Sequence, residues 1–258
     1  MNDHLPTYPL FSYNVFAGPL TALRSKLKRS NTPVLISTIN PHSFYVADHD
    51  ELFRKALEQS DVLLPDGVGI VWANWILNGK RIPRITGTDI FRFILQTIHK
   101  DEDPEVKRVF FLGASPETLQ KIQNKISQEY PSLVVDTYSP PYKPAFDENE
   151  VALMTEAINQ FRPYVLFVGM TAPKQEKWSF AYRNRIEASV ICPIGAVFDF
   201  YGGRIKRPGK VWQYLGLEWL GRFVQEPKRL WRRNVISMPY FVKKVLGAGI
   251  RKKIRSSR

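Results

Sequence analysis

Short runs of aliphatic and β-branched residues alternate along the chain with stretches of helical periodicity, the pattern of a sheet whose strands are joined by crossover helices. Residues 34–38, 62–66, 109–113, 133–137 and 164–169 read as strands, and 189–200 holds another. Residues 51–59, 68–78, 88–99, 147–161 and 174–185 read as helices. One more opens at Ser115-Pro116-Glu117, where serine is a favoured cap and proline suits the first helical position. The fold class this predicts is α/β, a Rossmann-like, mostly parallel sheet flanked by helices over residues 1–203. After Gly202-Gly203 the pattern turns basic, aromatic and helical, so residues 204–258 read as an appendage.

Composition narrows the class. With 258 residues and 44% hydrophobic content, the chain can bury the core of one α/β domain with a small addition. Its lone cysteine, Cys192, lies in the apolar run Val190-Ile-Cys-Pro-Ile194, so a buried thiol and a reducing compartment are expected. The four histidines are scattered, which speaks against a structural zinc site. No apolar run approaches the roughly 20 residues of a membrane span, and the N-terminus lacks the basic and apolar regions of a secretory leader. Membrane contact is therefore expected to be peripheral and cytoplasmic, on the inner face of the plasma membrane.

Charge gives that contact a place. From Arg204 to Arg258 sixteen Lys or Arg stand against Glu218 and Glu226, a net +14 in a chain whose total is +13. Leu230/Trp231, Val235, Met238, Phe241/Val242 and Val245 recur at helical spacing through this segment, with Lys228, Arg229, Arg232, Arg233, Lys243 and Lys244 around them. Such a face suits an anionic bilayer, each cation near it contributing about 1 kcal/mol. A solvated basic face on a packed subdomain ranks second, and nucleic acid ranks third and is not expected as a partner. The same apolar face packed against another subunit, giving a homo-oligomer in solution, is the alternative arrangement.

In an open α/β sheet, ligands bind beyond the carboxyl ends of the strands. The polar residues there are Thr38 and Asn40, Asp66 with Gly67 and Gly69, Gly113-Ala-Ser115, Gly169-Met-Thr171 with Pro173 and Gln175-Glu176, and Gly195 to Asp199. Asp66 is placed as a general base would be, with glycines that let a ligand approach; it is equally an N-cap, which spacing alone favours. Arg84-Ile-Thr-Gly-Thr-Asp89 reads evenly as a diphosphate clamp or as a helix start capped by Asp89. Asp48-His-Asp50 and Asp101-Glu-Asp103 have metal-bridging spacing, but neither follows a hydrophobic strand, and both read as structural. Gly113-Ala-Ser-Pro-Glu117 lacks a full phosphate-loop pattern and reads as a tight cap. Residues 37–41 contain no glycine, which excludes the dinucleotide fingerprint of an NAD(P)-linked oxidoreductase.

Four segments taken together carry a resemblance. They are Thr38-Ile-Asn40; Leu64-Pro-Asp-Gly-Val-Gly69 with Arg84-Ile-Thr-Gly-Thr-Asp89; Gly169-Met-Thr-Ala-Pro-Lys-Gln-Glu-Lys-Trp178; and Gly195-Ala-Val-Phe-Asp-Phe-Tyr-Gly-Gly203 running into Arg207-Pro208, Gly216-Leu-Glu-Trp-Leu220, Glu226-Pro227 and Arg229. In this order, over about residues 10–240, the chain resembles the WecG/TagA/CpsF glycosyltransferases. The resemblance implies transfer of a sugar from a UDP-sugar donor to a polyprenyl-diphosphate-linked sugar acceptor in bacterial surface-polysaccharide synthesis, with inversion and with no cofactor or metal. It implies Asp66 as general base, Thr38 and Asn40 near the sugar, and Arg84 and Gln175 on phosphates with Glu176 beside them. Gly67, Thr86, Asp89 and Gly169 complete the implied substrate-binding set. Metal-free departure of UDP calls for cations, for which the tail offers Arg204, Arg207, Arg222, Arg229 and Arg232. Met170 departs from the small or polar residue expected there. The donor, N-acetylmannosamine, its uronic acid or a hexose, is not fixed. The rival reading, a non-catalytic membrane- or nucleic-acid-binding protein on the same body, gives no role to Asp66, Arg84 or Gln175-Glu176.

Overall fold

The computed structural model describes residues 5–28, 32–205 and 231–256, with the isolated positions 209, 220 and 223. Its strands are β1 (Thr7–Leu10), β2 (Tyr13–Phe16), β3 (Val34–Ile39), β4 (Val62–Pro65), β5 (Arg108–Gly113), β6 (Val134–Tyr138), β7 (Val165–Gly169) and β8 (Val190–Pro193). They form one sheet in the order β1-β2-β4-β3-β8-β7-β5-β6. Only the β1–β2 hairpin is antiparallel. The α/β expectation is met, and the central strands β4, β7 and β8 are buried along their whole length, as strands covered on both faces must be. The hairpin was not anticipated. Pro9 and the mixed residues of 7–16 weaken any strand pattern, and an edge position tolerates that proline.

The helices are α1 (Pro41–Ala47), α2 (Glu51–Glu58), α3 (Val68–Asn78), α4 (Gly87–His99), α5 (Pro116–Glu129), α6 (Glu148–Phe161), α7 (Lys174–Tyr182), α8 (Gly195–Tyr201) and α9 (Met238–Ser256). Two of them correct the sequence reading. Pro41 starts α1 with Asn40 as its cap, in a stretch where no helix was expected. The strand sought within 189–200 ends at Pro193, and Gly195 opens α8, whose Val197 and Phe198 are buried under the sheet with α4 and α5. Consecutive buried Val and Phe fit strand and short helix equally, and here the glycine decides. On the opposite face Phe110, Leu112, Met154, Met170 and Trp178 pack beneath α6 and α7, so Met170 is a core residue.

A third cluster joins the edge of the sheet to the C-terminal segment. Leu10, Tyr13, Val15, Phe44 and Ile70 enclose Phe241 and Val245 of α9, and the Phe44 and Phe241 rings meet edge-on with centroids 5.2 Å apart. Asp48 accepts from the Tyr240 hydroxyl at 2.7 Å and pairs with Lys244 at 3.1 Å. Ahead of α9 a wide π turn, Arg233–Ser237, brings the buried Ser237 hydroxyl within 2.9 Å of His42 Nδ1. The apolar face expected over 230–245 is thus divided: Phe241 and Val245 enter the core, while Trp231, Val235 and Val242 remain exposed. Leu230 lies outside the described residues.

Candidate active site

Four neighbouring strands, β4, β3, β8 and β7, end side by side and carry most of the sequence-selected residues. At the β3–β4 end, Thr38 and Ile39 pair in register with Leu64 and Pro65. The Asp66 backbone N–H donates to the Ile39 carbonyl at 2.9 Å, holding the residue against the end of β3. Asp66 is half-buried. It is not the helix cap that its spacing favoured: Gly67 occupies the cap position of α3 with φ +96°, a conformation that suits glycine. A Cβ on Gly67 would meet nothing within 4 Å, so the space in front of it is open. Asn40 accepts from the His42 and Ser43 backbone N–H groups at 3.0 Å, which orients its side chain at the start of α1.

The Ile85 N–H donates to the Pro65 carbonyl at 3.0 Å, and this bond brings half-buried Arg84 to the end of β4, next to Asp66. Thr86 and Asp89 close a capping box at the start of α4, with Thr86 N and Oγ1 donating to Asp89 Oδ2 at 2.8 and 2.7 Å. The structure thus gives these two a local task, the one foreseen for Asp89, and they fix the backbone that carries Arg84.

At the β7–β8 end, Gly113 and Gly169 face one another in register. A Cβ on Gly169 would lie 2.3 Å from the Phe198 ring, so Phe198 fills the space that a ligand would need there. Gln175 and Glu176 are both buried. Gln175 Oε1 accepts from the Gly195 N–H at 3.0 Å and its Nε2 donates to Glu176 Oε1 at 2.8 Å, a link between the starts of α7 and α8. Burial pushes the Glu176 carboxyl up to about 7, with the Gln175 hydrogen bond opposing, and its Oε2 finds no partner among the described residues. Strands spaced about 4.8 Å apart put the Asp66–Arg84 end and the Gln175–Gly195 end roughly 10 Å from each other, flanking the end of β3.

The tail cations divide. Arg204 pairs with Asp199 at the end of α8, 2.8 Å away, and Arg232 is exposed with its guanidinium 5.6 Å from the Trp231 ring. Arg207, Arg222 and Arg229 lie outside the described residues. No cluster of three or more His, Cys, Asp or Glu suited to a metal occurs among the described residues. Asp50 caps α2 and pairs with Lys177 at 2.8 Å, and Asp103 caps a short turn, the structural uses expected of the two Asp-x-Asp pairs. No described helix is long and apolar enough to cross a membrane.

Sequence reasoning missed His42, two residues after Asn40. Burial, with the Arg233 guanidinium adding to it, pushes its imidazole down to about 4, so it is neutral at physiological pH. An isolated histidine after an unrecognised helix start gave no signal.

The model of the Glycosyl transferase WecG/TagA/CpsF family matches residues 12–255. An N-acetylglucosaminyldiphosphoundecaprenol N-acetyl-beta-D-mannosaminyltransferase of Bacillus subtilis (strain 168) is 32% identical over 212 residues, covering 82% of this chain and 78% of that protein. The enzyme of the same name from Bacillus spizizenii is 29% identical over 246 residues, covering 94% and 91%, and that of Staphylococcus aureus (strain MW2) is 27% identical over 230, covering 89% and 85%.

Proposed function

Because the chain belongs to the WecG/TagA/CpsF family of glycosyl transferases, we propose that it moves an N-acetylmannosamine-type sugar from a UDP-sugar to a polyprenyl-diphosphate-linked N-acetylglucosamine, with Asp66 as general base. A hexose donor is the alternative. The observation that carries the reading is the juxtaposition of Asp66 with Arg84 at the ends of β3 and β4, beside an open space over Gly67. The Asp66 carboxylate takes the proton of the acceptor hydroxyl as its oxygen bonds to the anomeric carbon. The bond from that carbon to the diphosphate oxygen breaks, UDP leaves with the electron pair, and the configuration inverts.

Charge builds on the departing diphosphate, where a fixed guanidinium is most effective. Arg84, brought to the end of β4 by the Ile85–Pro65 bond, is such a group, and the tail arginines 204, 207, 222, 229 and 232 are further donors of positive charge in this proposal, which uses no metal. Thr38 and Asn40 border the sugar. Gln175 acts in this scheme through Gly195 and α8, and Glu176, largely protonated below neutrality, spares the diphosphate a repelling charge. The test is transfer from a panel of UDP-sugars to a polyprenyl-diphosphate acceptor, with and without EDTA. Product that survives EDTA and is lost in Asp66→Asn supports the proposal; product that depends on added metal, or an unimpaired Asp66→Asn enzyme, refutes its mechanism.

A further inference from the structure

Two helices leave apolar side chains in solvent, and their contacts set those side chains next to each other. A Cβ on Gly69 of α3 would lie 3.8 Å from Phe241, and one on Gly249 of α9 would lie 3.2 Å from Ile76. The Lys252 ammonium donates to the Leu77 carbonyl. Early residues of α3 therefore meet early residues of α9, late meet late, and the helices run side by side in the same direction. With 3.6 residues per turn, Ile70, Ala73 and Asn74 face inward on α3, Gly69 and Ile76 face α9, and Trp72 and then Trp75 follow around the outside. On α9, Phe241 and Val245 face inward and Gly249 faces α3, so Val242 and Leu246 stand on the outer shoulder beside Ile76. Trp72 is 66% exposed, Trp75 52% and Leu246 51%.

We propose that this two-helix strip, centred on Trp72, Trp75, Ile76, Val242 and Leu246, is a face that docks on an anionic lipid bilayer. Charge selects the occupant. Residues 68–84 and 238–256 contain no acid, while Lys80, Arg81 and Lys243 are exposed beside the strip. The Arg81 guanidinium stands 5.5 Å from the Trp75 ring centroid. A second copy meeting the same face would set these cations against each other, whereas lipid phosphates complement them. Tryptophan, with an apolar ring and a polar N–H, favours the boundary between headgroups and acyl chains. The strip reaches beyond the C-terminal tail into the catalytic body. Because α3 begins directly after Asp66-Gly67, Trp72 sits about one turn, roughly 6 Å along the axis, from the start of that helix. On the reading of a lipid-linked acceptor, docking would bring Asp66 to the level at which the acceptor's diphosphate emerges.

The experiment is vesicle co-sedimentation of the full chain with phosphatidylcholine alone and with phosphatidylglycerol added, for wild type, Trp72→Ser/Trp75→Ser and Val242→Ser/Leu246→Ser. Thermal unfolding and solution mass are followed alongside. Wild type is expected to bind only the phosphatidylglycerol vesicles, and the tryptophan pair to bind roughly tenfold or more weakly with unchanged unfolding. Brominated lipid should quench wild-type tryptophan fluorescence more than that of a Trp72→Phe/Trp75→Phe protein. Failure of wild type to bind, or undiminished binding and quenching in the variants, overturns the proposal. So does a drop in oligomer mass with vesicle binding intact, which would make the strip a contact between copies. Vesicle binding is read without any sugar transfer, so a protein that docks as described but transfers no sugar sinks only the functional reading.

Discussion

Asp66 and Glu176 are two carboxyl groups at ends of one sheet with opposite environments. Asp66 is half-buried beside open space, whereas Glu176 is enclosed, with a hydrogen bond from Gln175 on one oxygen and no partner for the other among the described residues. A base must ionise at working pH, and the second group resists doing so. Asp66→Asn keeps the shape and removes the proton acceptor, so kcat should fall about 10²–10⁴-fold while UDP-sugar affinity, read by calorimetry, changes little. An equal loss in affinity would make Asp66 a binding group. Glu176→Gln tests the other environment through stability. The folded carboxyl titrates near 7 and the unfolded one near 4.5, so between those values the folded state holds the extra proton and stability falls as pH rises. The glutamine variant lacks that loss and should exceed wild type by up to ~3 kcal/mol at pH 8, and by much less at pH 4.5, in denaturant unfolding.

Between elements, the site depends on backbone contacts that individual residues do not advertise. Strands β3 to β8 and most helices were legible because their periodicities are long and their caps, Ser115 and Asp50 among them, are of favoured types. Asp66 and Thr38 were legible as strand-end positions, and Arg84 only as a loop residue before a helix. That the Ile85 N–H would draw Arg84 to Pro65 was not, since the bond joins residues whose side chains play no part in it. Nor was the role of Gln175, which depends on a glycine 20 residues away. Gly195→Ala tests that link: its Cβ would fall 2.3 Å from the Met170 carbonyl and 2.4 Å from Gln175 Oε1. The change should cost roughly 1–3 kcal/mol and lower kcat/KM. A stable, fully active alanine protein would show that α7 and α8 need not be linked there.

At the scale of the molecule, the C-terminal helix is held to the body by both apolar and titratable contacts. Phe241→Ala should destabilise the whole protein by about 3–5 kcal/mol, as loss of a buried ring in a shared core does, and a single unfolding transition should shift as one. If only a minor early transition moved, the helix would be a separately melting attachment. The polar side of the junction brings in pH. His42 titrates near 4 when folded and about 6.5 when unfolded, so in that interval the unfolded state holds the extra proton and stability rises with pH. Its full contribution is present above 6.5 and is lost as pH falls toward 4. After allowance for the partial exposure of the ring this amounts to ~1–2 kcal/mol. Glu176 acts in the reverse sense over nearly the same interval, so the two slopes oppose each other in the wild-type protein. Measured by unfolding from pH 4.5 to 7, wild type should therefore lie between the two variants in slope: Glu176→Gln should gain stability steadily with pH, His42→Asn should lose it more steeply than wild type, and parallel curves would remove both assignments together.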